Sequence, residues 1–223
     1  MNNILIIGAT SGIGRALTIA LRAEGVTVVA AGRREALLKT LGGETVVLDI
    51  TAPEAMAQVA AINAQGIIFA AGFGAQTAEP DWELTQQTLN LQVVAFERLA
   101  QWALTHCEAF VAIASIAGIR GLENTNGYSP SKAYMIAAME GYRRKCRQEK
   151  KACRFITVMP GFVDTAMGQA SDFWRSSPQE AACCILQGLN RFRSVIYVTP
   201  RWQWIAILMR MIPRGLFERI RLS

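Results

Sequence analysis

Tyr128 and Lys132, in the run Tyr128-Ser-Pro-Ser-Lys132, carry side chains suited to acid–base chemistry. On a helix, a spacing of four residues puts the phenol and the ammonium on one face, about one turn apart. A nearby cation favours the phenolate, so the pair predicts a Tyr128 pKa drawn down from about 10 toward working pH. Such a tyrosine can protonate a carbonyl oxygen or accept the proton of an alcohol. The pair gains meaning from its company: a glycine-rich turn near the N-terminus, a serine upstream and a Pro-Gly turn downstream.

The elements that must position these groups alternate. Ile4-Leu-Ile-Ile7 is a short continuous apolar run suited to a strand buried on both faces of a parallel sheet. Gly8-Ala-Thr-Ser-Gly12-Ile-Gly14 follows it, and Ile13, Leu17, Ala20 and Leu21 then recur at helical spacing up to a stop at Gly25. Strand, glycine turn and helix together aim backbone N–H groups and a positive helix end at one point, where a pyrophosphate could sit. With that first strand counted, strands are expected near 3–7, 26–31, 44–48, 66–70, 108–114, 154–159 and 194–198. Helices fill the gaps, with the longest near 81–106 and 128–150. Ser177-Pro-Gln-Glu180 carries the signals of a helix start, with a serine cap, a proline in the first turn and a glutamate closing the box. This order predicts a single-domain α/β fold, a Rossmann-like doubly wound parallel sheet of about seven strands with helices on both faces. Residues 1–200 form the domain and 201–223 an apolar and basic tail.

With its motifs taken in order, the chain resembles a short-chain dehydrogenase/reductase from the first strand to about residue 200. The resemblance implies a catalytic set of Asn90, Ser115, Tyr128 and Lys132. It also implies a nicotinamide dinucleotide held by Gly8, Thr10, Ser11, Gly12, Ile13 and Gly14, with Asp49 and Ile50 near its adenine. Ala71 and Gly72 follow the fourth strand, and Pro160, Gly161, Val163 and Thr165 belong to the turn that holds the nicotinamide carboxamide. By the same resemblance Lys132 also holds the nicotinamide ribose, and Asn90 helps keep a water that relays protons to it. The family's Asn-Asn-Ala-Gly reads here Phe69-Ala70-Ala71-Gly72, so both amides are absent and local hydrogen bonding is expected to differ. The chain is also short between Thr165 and Pro178, where the family's substrate-covering segment belongs.

The second strand ends in Gly32-Arg33-Arg34, with no acid to bind a ribose 2′-hydroxyl. An arginine there can pair a 2′-phosphate instead, which predicts NADP(H). The expected reaction is reversible hydride transfer between NADP(H) and a small carbonyl or alcohol, with Tyr128 as general acid or base and Ser115 holding the oxygen. Ile119, Leu122, Phe162, Met167, Phe173 and Trp174 are the expected apolar walls of the substrate site. Two other classes stay open. A non-catalytic NADP-binding sensor has no use for a general acid. A sugar-nucleotide epimerase or dehydratase shares the Tyr-Lys pair, but the chain after Thr165 leaves little room for its C-terminal substrate domain.

The net charge of +6 is concentrated in places. The seven basic residues between Arg143 and Arg154 fall at the expected C-terminal end of the Tyr128 helix, where cations complement the helix dipole. They lack the aromatic interleaving of a nucleic-acid site, so no nucleic-acid partner is expected. The five cysteines show no metal spacing and are odd in number, and no metal is expected. With no signal-peptide pattern at the start, a reducing cytoplasm is the expected setting. Cys183-Cys184 read as small hydrophobes on a buried helix face, and His106 as structural. A homo-oligomer is expected because family members commonly pair through their two long helices. The tail from Trp202 to Pro213 is strongly apolar and is surrounded by Arg201, Arg210, Arg214, Arg219 and Arg221. It is too short to span a bilayer. Packing against protein, as a lid or subunit contact, is expected ahead of peripheral membrane contact.

Overall fold

Seven strands, all parallel, form one sheet in a computed structural model that describes residues 3–74, 77, 79–164 and 174–220. In chain order the elements begin β1 (Asn3–Ile7), α1 (Gly12–Ala23), β2 (Thr27–Gly32), α2 (Glu35–Lys39), β3 (Thr45–Val47), α3 (Ala55–Ile62) and β4 (Gly66–Phe69). There follow α4 (Trp82–Leu89), a π-helical segment (Asn90–Ala95), α5 (Phe96–His106), β5 (Ala109–Ile113) and a 3₁₀ turn (Ile116–Gly118). The rest comprises α6 (Tyr128–Glu149), β6 (Arg154–Met159), α7 (Pro178–Asn190), β7 (Val195–Tyr197), α8 (Pro200–Met211) and α9 (Arg214–Phe217). The spatial order is β3-β2-β1-β4-β5-β6-β7. Strand order reverses between β1 and β4, so a crevice opens beyond their C-terminal ends, the usual ligand position of such sheets.

Side-chain alternation along the strands builds two cores. Ile4, Ile6, Val28, Ala30, Ile68, Val111 and Val158 face α1 and α7. Leu5, Ile7, Phe69, Phe110, Ala112 and Phe155 face α5 and α6 on the other side. On that second face Phe96 bridges two strands, its ring centroid 5.6 Å from that of Phe69 and 5.7 Å from that of Phe110. Such edge and tilted contacts fix the start of α5 over the central strands.

The helix expected over 81–106 is interrupted. Its middle turn widens to π geometry at Asn90–Ala95, which inserts one residue per turn and re-aims the side chains around it. Cys183 also departs from expectation: it is exposed, and Cys184 half-buried, because the buried stripe of α7 runs through Ala181, Ala182, Ile185 and Leu186. His106 stacks on Trp102 at 4.5 Å. The basic run does close α6, with Arg143 turned inward to donate to Thr157 Oγ1 at 2.7 Å.

The helix start at Ser177 is a full capping box. Ser177 Oγ accepts from Glu180 N–H at 3.1 Å, and Ser177 N–H donates to Glu180 Oε2 at 2.7 Å. Ser177→Ala removes one half of it and should cost about 1 kcal/mol. In a chain of this size that lowers the Tm by roughly 2–4 °C, measurable by scanning calorimetry. An unchanged Tm would show that α7 is held by packing alone.

Candidate active site

Ser115, Tyr128 and Lys132 meet at the C-terminal end of β5. Ser115 lies just past the strand in extended backbone and caps the 3₁₀ turn, its Oγ accepting from Ala117 N–H at 3.1 Å. That turn lies hard against α6. A Cβ on Gly118 would come within 2.5 Å of the Lys132 carbonyl carbon and 2.7 Å of Ala133 N, so only glycine permits the approach. Tyr128 is the first residue of α6, and the Ser115 side chain hydrogen-bonds its phenol. Ser129, the next residue, ties the same loop down, its hydroxyl donating to Ala117 O at 2.8 Å.

Lys132 is 3% exposed. Its Nζ donates to Ile113 O at 2.9 Å and sits 5.5 Å from the centroid of the Tyr128 ring. Burial pushes the Lys132 pKa down from 10.5 to about 7. Burial also pushes Tyr128 up, against the smaller opposite pull of the Ser115 hydrogen bond. The expected lowering of Tyr128 by Lys132 is therefore corrected: desolvation acts on both groups, and an amine that gives up its charge near neutrality does little to favour a phenolate.

The glycine turn reaches the same place. Gly8 has φ +92°, and a Cβ there would lie 2.5 Å from Ala71 N, so the turn after β1 presses directly on the chain leaving β4. One residue further along the exit from β4, a Cβ on Gly72 would lie 3.4 Å from Lys132 Nζ. One line of contacts thus runs from Gly8 through Ala71 and Gly72 to the lysine. Gly12, Ile13 and Gly14 form the first turn of α1 behind Ser11, with its orphan N–H groups and positive end toward the crevice.

Both arginines after β2 sit at this edge. Arg34 donates from Nη2 to Thr10 Oγ1 at 2.6 Å and to Ser11 Oγ at 2.8 Å, which spans the glycine turn. Arg33 is mostly exposed, 3.9 Å from Asp49 Oδ2. Burial raises the Asp49 pKa, but two hydrogen bonds from Thr51 together with Arg33 outweigh it and hold the carboxyl below its ordinary value. Ile50, beside Asp49, is buried.

The Pro160 turn joins the group from β6. Ile116 N–H donates to Pro160 O at 3.0 Å, and Val163 bridges to Ser176. Beside Gly161, Phe162 and Trp174 pack edge-on against Trp202 at 5.7 and 6.2 Å. Ile119 packs partly buried on the core of the α6 side, and Leu122 is half-buried next to it in sequence. Thr165, Met167 and Phe173 lie outside the described residues.

Asn90 is not brought in. It is exposed at the first position of the π segment. The amide that reaches the site is Gln92, 0% exposed. Its Nε2 donates to Phe73 O at 2.8 Å, which fixes the amide orientation and turns Oε1 toward Gly72. A Cβ on Gly72 would lie 3.2 Å from Gln92 Oε1, on the same point that Lys132 Nζ approaches. Oε1 has no hydrogen-bond partner among the described residues. The sequence does hold a signal for it: Gln92 shares one helical stripe with the buried Phe96, Leu99 and Ala103, and a polar residue on a core stripe asks for a role. Gln92 thus puts a side-chain amide beside Gly72, in a stretch where Phe69 and Ala70 carry none.

Comparison with known proteins bears on the fold and the family. Residues 2–176 match the family described as short chain dehydrogenase. The chain is 30% identical over 240 residues to an uncharacterized oxidoreductase of Myxococcus xanthus, covering 96% of this chain and 94% of that one. It is 32% identical over 209 residues to the dehydrogenase/reductase SDR family member 6 of Rattus norvegicus, covering 86% and 84%. Among solved structures, a short chain dehydrogenase from Burkholderia cenocepacia in complex with NADP superposes with a TM-score of 0.86 at 24% identity, over 99% of this chain and 97% of that one. A short-chain dehydrogenase from Sphingobium yanoikuyae in complex with NADPH gives 0.80 at 20% identity, over 100% and 98%. With its parallel sheet, its glycine turn and its Ser-Tyr-Lys cluster, the chain belongs to the short-chain dehydrogenase family.

Proposed function

We propose that this protein is an NADP(H)-dependent oxidoreductase that interconverts a carbonyl and an alcohol. The observation that carries the reading is the meeting of Ser115, Tyr128 and Lys132 on the line of contacts that begins at Gly8. The residues fit the cofactor: the approach of Gly8 to Ala71 leaves a side-chain-free floor, and Arg33 and Arg34 give a cationic rim with the Thr10 and Ser11 hydroxyls. Gly8, Thr10, Ser11, Gly12, Ile13 and Gly14 would hold the pyrophosphate, and Arg33 and Arg34 the 2′-phosphate. Asp49 and Ile50 would border the adenine, and Ala71, Gly72, Pro160, Gly161 and Val163 the nicotinamide side. When bound, the cofactor supplies or accepts the hydride.

Tyr128 gives its proton to the carbonyl oxygen in reduction and takes it back in oxidation. A Tyr128 pKa held up by burial keeps the phenol protonated, which suits proton donation. The Ser115 hydroxyl is shared between Tyr128 and the substrate oxygen and orients that oxygen. Lys132 titrates near neutrality and can restore the proton of Tyr128 through the ribose side of the site. Gln92 is a positioning residue: its Oε1 faces the point that Lys132 Nζ also approaches, and it favours the charged lysine. The substrate end is bordered by Phe162, Trp174 and Ile119, which suits an apolar portion on a small molecule.

Three outcomes test this reading. Against any accepted carbonyl, kcat/KM with NADPH should exceed that with NADH by at least about tenfold, the size of one charge-assisted bond to the 2′-phosphate. Equal use of both cofactors would remove the role given to Arg33 and Arg34.

Tyr128→Phe keeps the ring and loses the proton. Turnover should fall by about a hundredfold or more, while NADPH binding followed by fluorescence stays within about twofold. Near-normal turnover in that variant would refute the mechanism.

Gln92→Leu should lower kcat about tenfold, because the amide dipole turned toward the lysine is lost. Its alkaline limb in the kcat/KM profile should move to lower pH, because losing the amide dipole makes protonated Lys132 harder to hold. Asn90→Ala should behave as the parent. Loss with Asn90→Ala and none with Gln92→Leu would return the role to Asn90.

A further inference from the structure

The tail has two faces with opposite character. On the inner face of α8, Trp202 is 3% exposed and Ala206 is wholly buried. Trp202 lies so close under the Pro160 turn that a Cβ on Gly161 would overlap its indole. Arg120 locks the far end: its guanidinium donates to the carbonyls of Met209 at 2.9 Å, Arg210 at 3.1 Å and Ile212 at 2.5 Å. It also lies 5.5 Å from the Phe217 ring centroid. A cation on the last carbonyls of a helix satisfies acceptors that have no partner within it. Through Trp202 and Arg120 the tail is docked on the domain.

The outer face is apolar too. Trp204, Leu208 and Met211, at i, i+4 and i+7, form a stripe exposed at 72%, 61% and 74%. Ile207 flanks it, and Leu216 extends it beyond Pro213. A helix apolar on both faces is built to be covered on both. The exposed charges around the stripe are Arg201, Arg210, Arg214 and Arg219, with Glu218 the one acid between Thr199 and Ile220.

We propose that this outer face seats on an anionic lipid surface. Trp204, Leu208 and Met211 enter the headgroup boundary, and the four arginines lie against the lipid phosphates and carboxylates. No helix among the described residues is long and apolar enough to cross a membrane, so the contact is peripheral. Charge decides between lipid and a second copy of the chain. A two-fold contact through the stripe would set the arginines of one copy against those of the other, with a single acid per copy to offset them. An anionic bilayer offers every arginine a partner at once.

The inference does not depend on the reaction, and its test leaves the site intact. The full chain is sedimented with vesicles of phosphatidylcholine alone and with vesicles that also contain phosphatidylserine, at low and high salt. Binding should appear with phosphatidylserine and weaken with salt. Truncation is the wrong probe, because Trp202 belongs to the packing around Gly161. The variant carrying Trp204→Ser, Leu208→Ser and Met211→Ser changes exposed residues only. It should keep the parental Tm and the parental turnover of a water-soluble carbonyl, and lose vesicle partitioning by about tenfold or more. Arg210→Gln and Arg214→Gln should each lower partitioning on anionic vesicles about fivefold. Absence of sedimentation with either vesicle, or binding unchanged in the triple variant, would overturn the proposal. So would a fall in oligomer mass in the triple variant by light scattering, which would assign the stripe to a second copy.

Discussion

Burying the Lys132 amine is the constraint around which the site is built. Its Nζ must find an acceptor in the core, and the acceptor is the Ile113 carbonyl at the end of β5. That bond fixes α6 relative to the sheet, and Tyr128, one turn earlier on the same helix, is placed with it. The burial costs stability. A lysine held at about 7 when folded and 10.5 when unfolded binds fewer protons in the native state across that interval. Stability from this group therefore rises with pH between about 7 and 10.5, and the full cost is met at lower pH. A few kcal/mol spent at one position is the familiar price of a functional group in a dry place.

The rest of the site consists of close approaches that bring other groups to that lysine. Gly118 lets the Ser115 turn lie on the backbone of α6, and Gly8 lets the turn after β1 press on the exit from β4. The π segment delivers Gln92. Gln92 lies buried within the wider turn while Phe96, four residues on along the same face, packs between Phe69 and Phe110. The irregular turn thus places a polar amide without disturbing the aromatic packing of α5.

Much of this was legible in the residues. The seven expected strands are the seven found, because buried parallel strands read as short continuous apolar runs such as Ile4–Ile7 and Ala109–Ile113. Ser177 and Glu180 announced their capping box, since its chemistry is local. What escaped was non-local. The direction of the Tyr128 pKa depends on desolvation, which two residues on one helix face do not reveal. Gln92 was passed over because the family resemblance pointed to Asn90, although its place on the stripe of Phe96, Leu99 and Ala103 marked it as a polar residue facing the core. The exposure of Cys183 turned on a rotation of α7 that apolar composition alone does not fix.

The tail and the site are joined through one turn. Pro160 O accepts from Ile116 N–H, one residue past Ser115, and the next residue, Gly161, bears on Trp202 of α8. Anything that pushes α8 away from the domain thus pulls at the turn that carries the serine, whereas anything that touches only the outer stripe of α8 does not. For this reason the two faces of α8 are separable in principle: the inner one belongs to the architecture of the site, and the outer one is free to serve a surface. A lipid-seated helix whose inner face borders Phe162 and Trp174 would also bring the apolar end of the site close to the bilayer boundary. A substrate with an apolar portion partitions there, so the composition of the site and the position of the stripe favour the same class of molecule.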